Sequence, residues 1–440
     1  MAKADTTWFD NAKFGMFVHF GLYSNPAGIW KGQKMGRNWY AEWLQMQADW
    51  PKGIPKEEYM QLANEFNPVD FDAEEWIKLC KESGAKYFLI TAKHHDGFAL
   101  WDSKVSDYNI VKATPFKRDI LRELKDACDK YGIIFGCYYS HWQDWEHEGG
   151  ALPHWPELPE SGWELAADGT PIPEPPKPQP SQEQFEKYWQ GKCLPQVAEL
   201  ISEYDAKFFW FDSWRETPFL NDKRINELIT LCHKLDPECL VNSRIGTTWN
   251  HSKGDDVVDY ISMFDNHFPG GIIKTKWETS GTFNRSWGYH KLDFAWNGSN
   301  KLLRYLIDNV SRNGNFQLNC GPTGSGKIPA PSYRRMKEMG AWLYANGEAV
   351  YNTRHTDYKE PLWGRLTQSI DKTKLYAVIY DNDTNQQLII EGVAREPNSA
   401  EILETGQKVE FKLRGSDLII QMPADSSSTE LNVIVFQFNT

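Results

Sequence analysis

The chain has 440 residues, 40% of them hydrophobic and 25% charged, which excludes collagen-like, wholly disordered and coiled-coil classes and leaves ample material for a buried core. A formal charge of −12 with no basic block argues against nucleic acid or an anionic membrane surface as partner. The unusual quantity is the aromatic content: Trp 20, Tyr 19 and Phe 23 bring it to 14%, enough to line sites for flat apolar ligand faces as well as to pack a core.

The start, MAKADTTWFD, has no apolar signal core, and no apolar run is long enough for a membrane span. The expected compartment is cytoplasmic, or periplasmic or secreted where a leader has been trimmed. The 7 cysteines are widely spaced without a C-x-x-C, so buried free thiols are expected.

Up to about residue 350 one grammar repeats: a short apolar run ends in a polar residue, and an amphipathic stretch follows. KFGMFVHFG ends at His19, AKYFLITAKHHDG at His94, His95 and Asp96, and GIIFGCYYS at Tyr138 and Tyr139. AKFFWFDSW leads to Asp212 and Trp214, ECLVNSRIG to Arg244, VVDYISMFD to Asp265, and GNFQLNCGP to Asn319 and Cys320. Helical patterns between them, such as DFDAEEWIKLCKESG and RDILRELKDACDKYG, stop on Gly84 and Gly132. This alternation predicts a parallel sheet covered by helices, and about eight strands with polar C-terminal ends favour a (β/α)8-type barrel. Late in the chain the spacing is irregular, so some barrel helices are expected to be short or missing.

The segment from His147 to Ser181 contains nine of the 24 prolines, all between Pro153 and Pro180, and is expected as a long loop on the catalytic face. From residue 351 to 440 short alternating runs such as KLYAVIYD, DLIIQMP and LNVIVFQF predict a separate antiparallel β-sandwich.

Asp212 closes an aromatic strand, the place where a carboxylate in a barrel reads as catalytic. Asp265 repeats the device, and two carboxylates at strand ends facing one cleft are what glycoside hydrolysis requires. Glu278, in the loop-like stretch KWETSG, is the rival for the second role. His19, His94 and His95 suit hydrogen bonding to a hydroxyl-rich ligand. A metal site on His94, His95 and Asp96 is the weaker reading, because adjacent strand residues point to opposite faces and no further histidine stands at ligand spacing; no metal or cofactor is expected. Trp43, Trp214 and Trp287, beside polar residues, could wall one face of a sugar ring. Gly321 to Lys327 matches part of a phosphate loop, but Ile328 replaces the Ser/Thr and Pro329 breaks the helix, leaving a Gly-rich turn.

In these residues and motifs the chain resembles the retaining α-L-fucosidases, glycoside hydrolase family 29. The likeness runs through FGMFVHFGLYS, KHHDGFALWDS, YYS, FFWFDSW, NSRIG, SWGYH and LIDNVSRNGNFQLNCGPTGSGKIP. It implies hydrolysis of terminal α-L-fucosyl linkages of oligosaccharides or glycoconjugates, with Asp212 the nucleophile of a covalent fucosyl-enzyme. It further implies His19, Glu42, Trp43, His94, His95 and Tyr139 around the fucose, Arg244 reaching the site, and Trp287 over the C5 methyl. Asp265 or Glu278 would supply the acid/base, with Asp265 favoured by its strand-end position. Two departures stand out: Ser213 follows the nucleophile where the family usually has Gly, and Asp265 replaces the commoner Glu. The competing readings are a glycosidase acting on a related pyranoside such as a galactoside, a degenerate glycan-binding barrel, and a metal-dependent hydrolase.

Overall fold

The computed structural model describes residues 4–35, 39–48, 53–153, 179–213, 217–246, 257–380, 388–423 and 431–439. Eight parallel strands build the N-terminal part: β1 (Phe14–Val18), β2 (Tyr87–Lys93), β3 (Ile134–Tyr139), β4 (Phe208–Phe211), β5 (Leu240–Val241), β6 (Ile261–Ser262), β7 (Trp277–Thr282) and β8 (Gly314–Cys320). Their spatial order is β5-β4-β3-β2-β1-β8-β7-β6. A parallel bridge between Asn242 and Tyr260 joins the two ends, with Ser243 N donating to Tyr260 O at 3.0 Å. The chain therefore wraps as a (β/α)8-type barrel whose weakest seam lies between β5 and β6.

Helices Ala73–Glu82, Ile120–Tyr131, Asp222–Leu235, Ser299–Ser311 and Ala330–Asn346 cover the outside, with a composite helix from Gln182 to Ser202 between β3 and β4. Among the described residues no α-helix lies between β5 and β6 or between β6 and β7. The helix starts follow local chemistry. Asp72, Asp119 and Asn221 accept from the backbone N–H three residues on, and Ser181 with Gln184 forms a capping box. Gly132 ends its helix at φ 69°, where a side chain would be strained. Among the described residues no helix is long and apolar enough to cross a membrane.

Strand alternation sorts the aromatics. Tyr87, Tyr138, Phe208, Trp210 and Tyr260 point into the barrel with Phe17, whereas Phe135, Tyr139, Phe209 and Phe211 face the helices. So many rings fit inside because glycines face them. A Cβ on Gly15 would lie 2.1 Å from the Tyr87 ring, and one on Gly136 2.3 Å from the Phe208 ring. The helix Thr7–Ala12 closes the bottom, with Phe9 packed 4.7 Å from Tyr260.

β7 corrects one expectation: Glu278 lies on a strand, not in a loop. WETSGT carries little apolar signal, because its inward side chains are polar and satisfied by Ser262, Trp210 and Gln317 rather than by hydrophobic contact.

The last barrel helix ends at Asn346, and from Thr353 the strands are antiparallel. A five-stranded and a three-stranded sheet share a core of Leu366, Ile390, Ile402, Leu418, Ile420 and Phe436. The other face of the larger sheet, with Tyr376, Val378, Val433 and Val435, joins the barrel's outer core. Trp342 donates to Leu431 O at 2.9 Å and Arg365 pairs with Asp308 at 2.6 Å, so the sandwich shields two barrel helices.

Gly136→Ala is expected to lower stability by about 1–3 kcal/mol by overpacking against Phe208, read from urea midpoints. Gly271→Ala, with no atom near its added methyl, should stay within about 0.5 kcal/mol of the parent.

Candidate active site

At the C-terminal end of the barrel a small pocket is lined by Phe17, His19, Tyr40, Glu42, Trp43, His94, Tyr138, Trp210, Asp212, Asp265 and Trp287. Asp212 follows β4 directly. Its Oδ1 accepts from Arg244 Nη2 at 2.7 Å and its Oδ2 from the Tyr138 hydroxyl at 2.7 Å, with His95 Nε2 at 3.4 Å. Burial alone would raise its pKa, but the guanidinium, His95 and Tyr138 outweigh it and hold the carboxyl well below the usual range.

Arg244 stands on a one-turn helix, Ser243–Ile245, after β5. Its other terminal nitrogen, Nη1, donates to Asp265 Oδ1 at 2.7 Å. One guanidinium thus holds both carboxylates. Its carbonyl accepts from Ser213 N at 2.6 Å, which ties the residue after Asp212 to the arginine turn. Ser213 is buried there, so a side chain is accommodated where the family usually has glycine. Asp265 lies beyond β6 in a turn pinned by Asn266, whose Oδ1 accepts from Thr282 N at 3.0 Å. With 36% of its side chain exposed against 12% for Asp212, Asp265 sits at the mouth and Asp212 deeper.

Hydrogen-bond accounting fixes several protons. Asn319 Nδ2 donates to Trp287 O at 2.8 Å, so Asn319 Oδ1 must accept from His19 Nδ1 at 2.6 Å and leaves His19 Nε2 as a lone pair toward the pocket. Burial lowers the pKa of His19 to about 3, which keeps it neutral. The Ser140 hydroxyl donates to Gln143 O at 2.8 Å, so His95 Nδ1 donates to Ser140 at 2.6 Å. His94 is held neutral by burial and by the neighbouring histidines, and its Nδ1 meets no partner among the described residues. Trp287 Nε1 is buried and faces the Tyr40 hydroxyl. An unpartnered imidazole nitrogen in this aromatic pocket suits a ligand rich in hydroxyls.

The pair His94–His95 reaches one site because the strand register shifts between Thr91 and Lys93 and the backbone turns at His94, bringing the two rings within 4.4 Å. Asp96 faces away, accepting from the Tyr59 hydroxyl at 2.9 Å and Phe98 N at 3.2 Å, and among the described residues no cluster of metal-ligating side chains occurs. Glu42, on the turn Ala41–Trp43, accepts from Gly288 N at 2.9 Å. Burial, with Asp265 and Asp212 nearby, pushes its pKa up to about 8. Trp43 stands edge-on to His95 at 5.1 Å.

Two expected residues lie elsewhere. Tyr139 points outward, its hydroxyl donating to Gln196 at 2.8 Å and its ring under Lys93 Nζ; strand alternation gives the site to Tyr138 instead. Glu278 is fully buried beneath the pocket, accepting from Trp210 Nε1 at 2.7 Å and Ser262 Oγ at 2.6 Å, and is absent from the lining. Trp214, and residues 154–178 of the proline-rich segment, fall outside the described residues. Phe17, Tyr40 and Trp210 were not singled out from sequence, and Tyr138 was marked only as a strand end beside Tyr139; Phe17 and Trp210 stand two residues before His19 and Asp212 and share their faces.

A parallel barrel with two strand-end carboxylates on one arginine in an aromatic pocket defines a glycoside hydrolase. The family model described as alpha-L-fucosidase matches residues 2–348. Rat plasma alpha-L-fucosidase is 32% identical over 373 residues, covering 79% of this chain and 71% of that protein. Alpha-L-fucosidase isoenzyme 1 from Paenibacillus thiaminolyticus superposes with a TM-score of 0.81 at 30% identity, over 99% of both chains. A GH29 alpha-L-fucosidase from Bacteroides thetaiotaomicron, captured as a covalent intermediate with 2-fluoro-fucosyl fluoride, matches with a TM-score of 0.84 at 27% identity, over 98% and 95% of the two chains. The chain belongs to the alpha-L-fucosidase family, GH29, and is a retaining glycoside hydrolase.

Glu42 gives a pH test. Unfolded, it ionises near 4.5; folded, near 8. Between these values the unfolded state binds fewer protons, so this residue's contribution falls by about 1.4 kcal/mol per pH unit as pH rises. The Tm of Glu42→Gln minus that of the parent is expected to climb from pH 5 to 8 and level off above; a flat difference would refute the buried protonated carboxyl.

Proposed function

We propose that Asp212 is the nucleophile and Asp265 the acid/base of an exo-acting α-L-fucosidase that releases terminal fucose from fucosylated glycans with retention. The observation that carries this reading is the shared arginine: Arg244 keeps Asp212 ionised and close to Asp265.

In the first step Asp212 attacks C1 while the bond from C1 to the leaving oxygen breaks and Asp265 gives that oxygen its proton. The product is a β-linked fucosyl ester on Asp212. In the second step Asp265, now a carboxylate, takes a proton from water as its oxygen attacks C1, and Asp212 leaves as a carboxylate. The position of Asp265 at the mouth favours it over Glu278, which has no path to a leaving group from beneath Trp210.

His19 Nε2 is oriented to accept from a sugar hydroxyl, while a protonated Glu42 can donate to one. Trp287 and Phe17 offer an apolar wall for the C5 methyl, a discrimination of about 1–3 kcal/mol.

Turnover of an aryl α-L-fucoside is expected to fall by roughly a thousandfold or more in Asp212→Asn. Asp265→Asn should lose about 10²–10⁴-fold on natural oligosaccharides and much less on an aryl fucoside with a good leaving group. Proton NMR should detect α-L-fucose as the first-formed anomer. First-formed β-fucose, or turnover of the matching β-D-galactoside alone, would contradict the proposal.

A further inference from the structure

Glu278 is the buried carboxyl that the reaction leaves unused. It lies inside the barrel on β7, wholly shielded from solvent. Its Oε1 accepts twice, from Trp210 Nε1 at 2.7 Å and Ser262 Oγ at 2.6 Å. Ser262 Oγ itself accepts from Asn242 Nδ2 at 3.0 Å, so its one proton is available for Glu278. On the other side Oε2 lies 3.4 Å from Ser280 Oγ, which is 2.9 Å from Gln317 Oε1. If Ser280 spends its proton on Gln317, a neutral Glu278 completes the network by donating from Oε2. Burial, opposed by Ser262, Trp210 and Arg244, raises its pKa to about 7, in keeping with that arrangement.

The indole that Glu278 holds carries the catalytic machinery. Tyr138 stacks on the Trp210 ring at 5.5 Å and 19°, and the Arg244 guanidinium sits 4.3 Å from its centroid. Tyr138 donates to one oxygen of Asp212 and Arg244 to the other. The Trp210 N–H is the polar handle that fixes the rotation of this plane, and Glu278 is its acceptor.

We infer that Glu278 is a positioning residue, not the acid, and that it acts through the Trp210 indole to hold the surface on which Tyr138 and Arg244 rest, and so sets where the Asp212 carboxylate lies. The inference rests on the reading of Asp212 and Asp265 as the reacting pair. The charged and titratable groups facing Asp212 are Arg244, His95 and Tyr138, then His19, His94, His141 and Glu42 around the pocket, with Asp265 across the arginine; Arg244, Tyr87 and Tyr260 face Glu278.

The test is kcat/KM against pH for aryl fucosides of graded leaving-group ability, in Glu278→Gln, Glu278→Leu, Trp210→Phe, the Leu/Phe double variant and Asp265→Asn. Glu278→Gln keeps the Oε1 acceptor and places an N–H where the carboxyl proton stood, so it should remain within about threefold of the parent. Glu278→Leu should lose about ten- to a hundredfold equally for good and poor leaving groups, and its acidic limb should move to higher pH as Asp212 loses its partners. Trp210→Phe, lacking the N–H, should behave alike, and the double variant should fall no further than the worse single one.

A Glu278→Gln loss that grows as the leaving group worsens would overturn the inference and make Glu278 the acid. Parental kinetics and pH profile in Glu278→Leu, with only a lower Tm, would also overturn it. Should Glu278→Leu not fold, Trp210→Phe decides: parental kinetics and pH profile there would overturn the inference. A leaving-group-dependent loss in Asp265→Asn marks the acid independently, so failure of the pair is distinguishable from failure of the positioning role.

Discussion

Arg244 donates through one terminal nitrogen to Asp212 and through the other to Asp265, and the site depends on that division. Two carboxylates brought together in a poorly solvated pocket would repel, and one would take up a proton. A single delocalised cation between them keeps the deeper one charged. It also couples two strand ends across the seam between β5 and β6, where the described residues form a single β-bridge, Asn242 to Tyr260, reinforced by side-chain bonds such as Asn242 Nδ2 to Ser262 Oγ. Removing one partner of a buried ion pair typically costs about 3–5 kcal/mol, so the Arg244–Asp212 contact constrains the fold as well as the chemistry, while the more exposed Asp265 contact contributes less.

The aromatic excess has a place in this scheme. The barrel interior is a stack of rings rather than the usual branched aliphatics, made possible by Gly15 and Gly136 opposite Tyr87 and Phe208. The upper layer of that stack, Trp210 and Tyr138, forms the floor beneath Asp212, and the next layer up is the sugar pocket. Core packing and site geometry are therefore continuous, with polar edges such as the Trp210 N–H and the Tyr138 hydroxyl supplying direction where stacking supplies only contact.

Much of this was legible in the chain. Apolar runs ending in His19, Asp212 and Arg244 mark strand ends, and a barrel gathers strand ends at one face. The choice between Tyr138 and Tyr139 was also within reach, because period-two alternation admits only one of them to the interior; fixing which needs the register of β3, and that is set by neighbouring strands. β7 was not legible, since its buried side chains are polar and paired by partners distant in sequence. Nor was the convergence of His94 and His95, which depends on a register shift after Thr91.

The most direct measurement is to trap the enzyme with 2-fluoro-fucosyl fluoride, digest it and locate the adduct by mass spectrometry. A 2-fluoro-fucosyl ester on the peptide containing Asp212, absent from the Asp212→Asn variant, is the predicted result. An adduct on Asp265, Glu42 or Glu278, or inactivation with no adduct, would contradict the account of an ionised nucleophile held by Arg244.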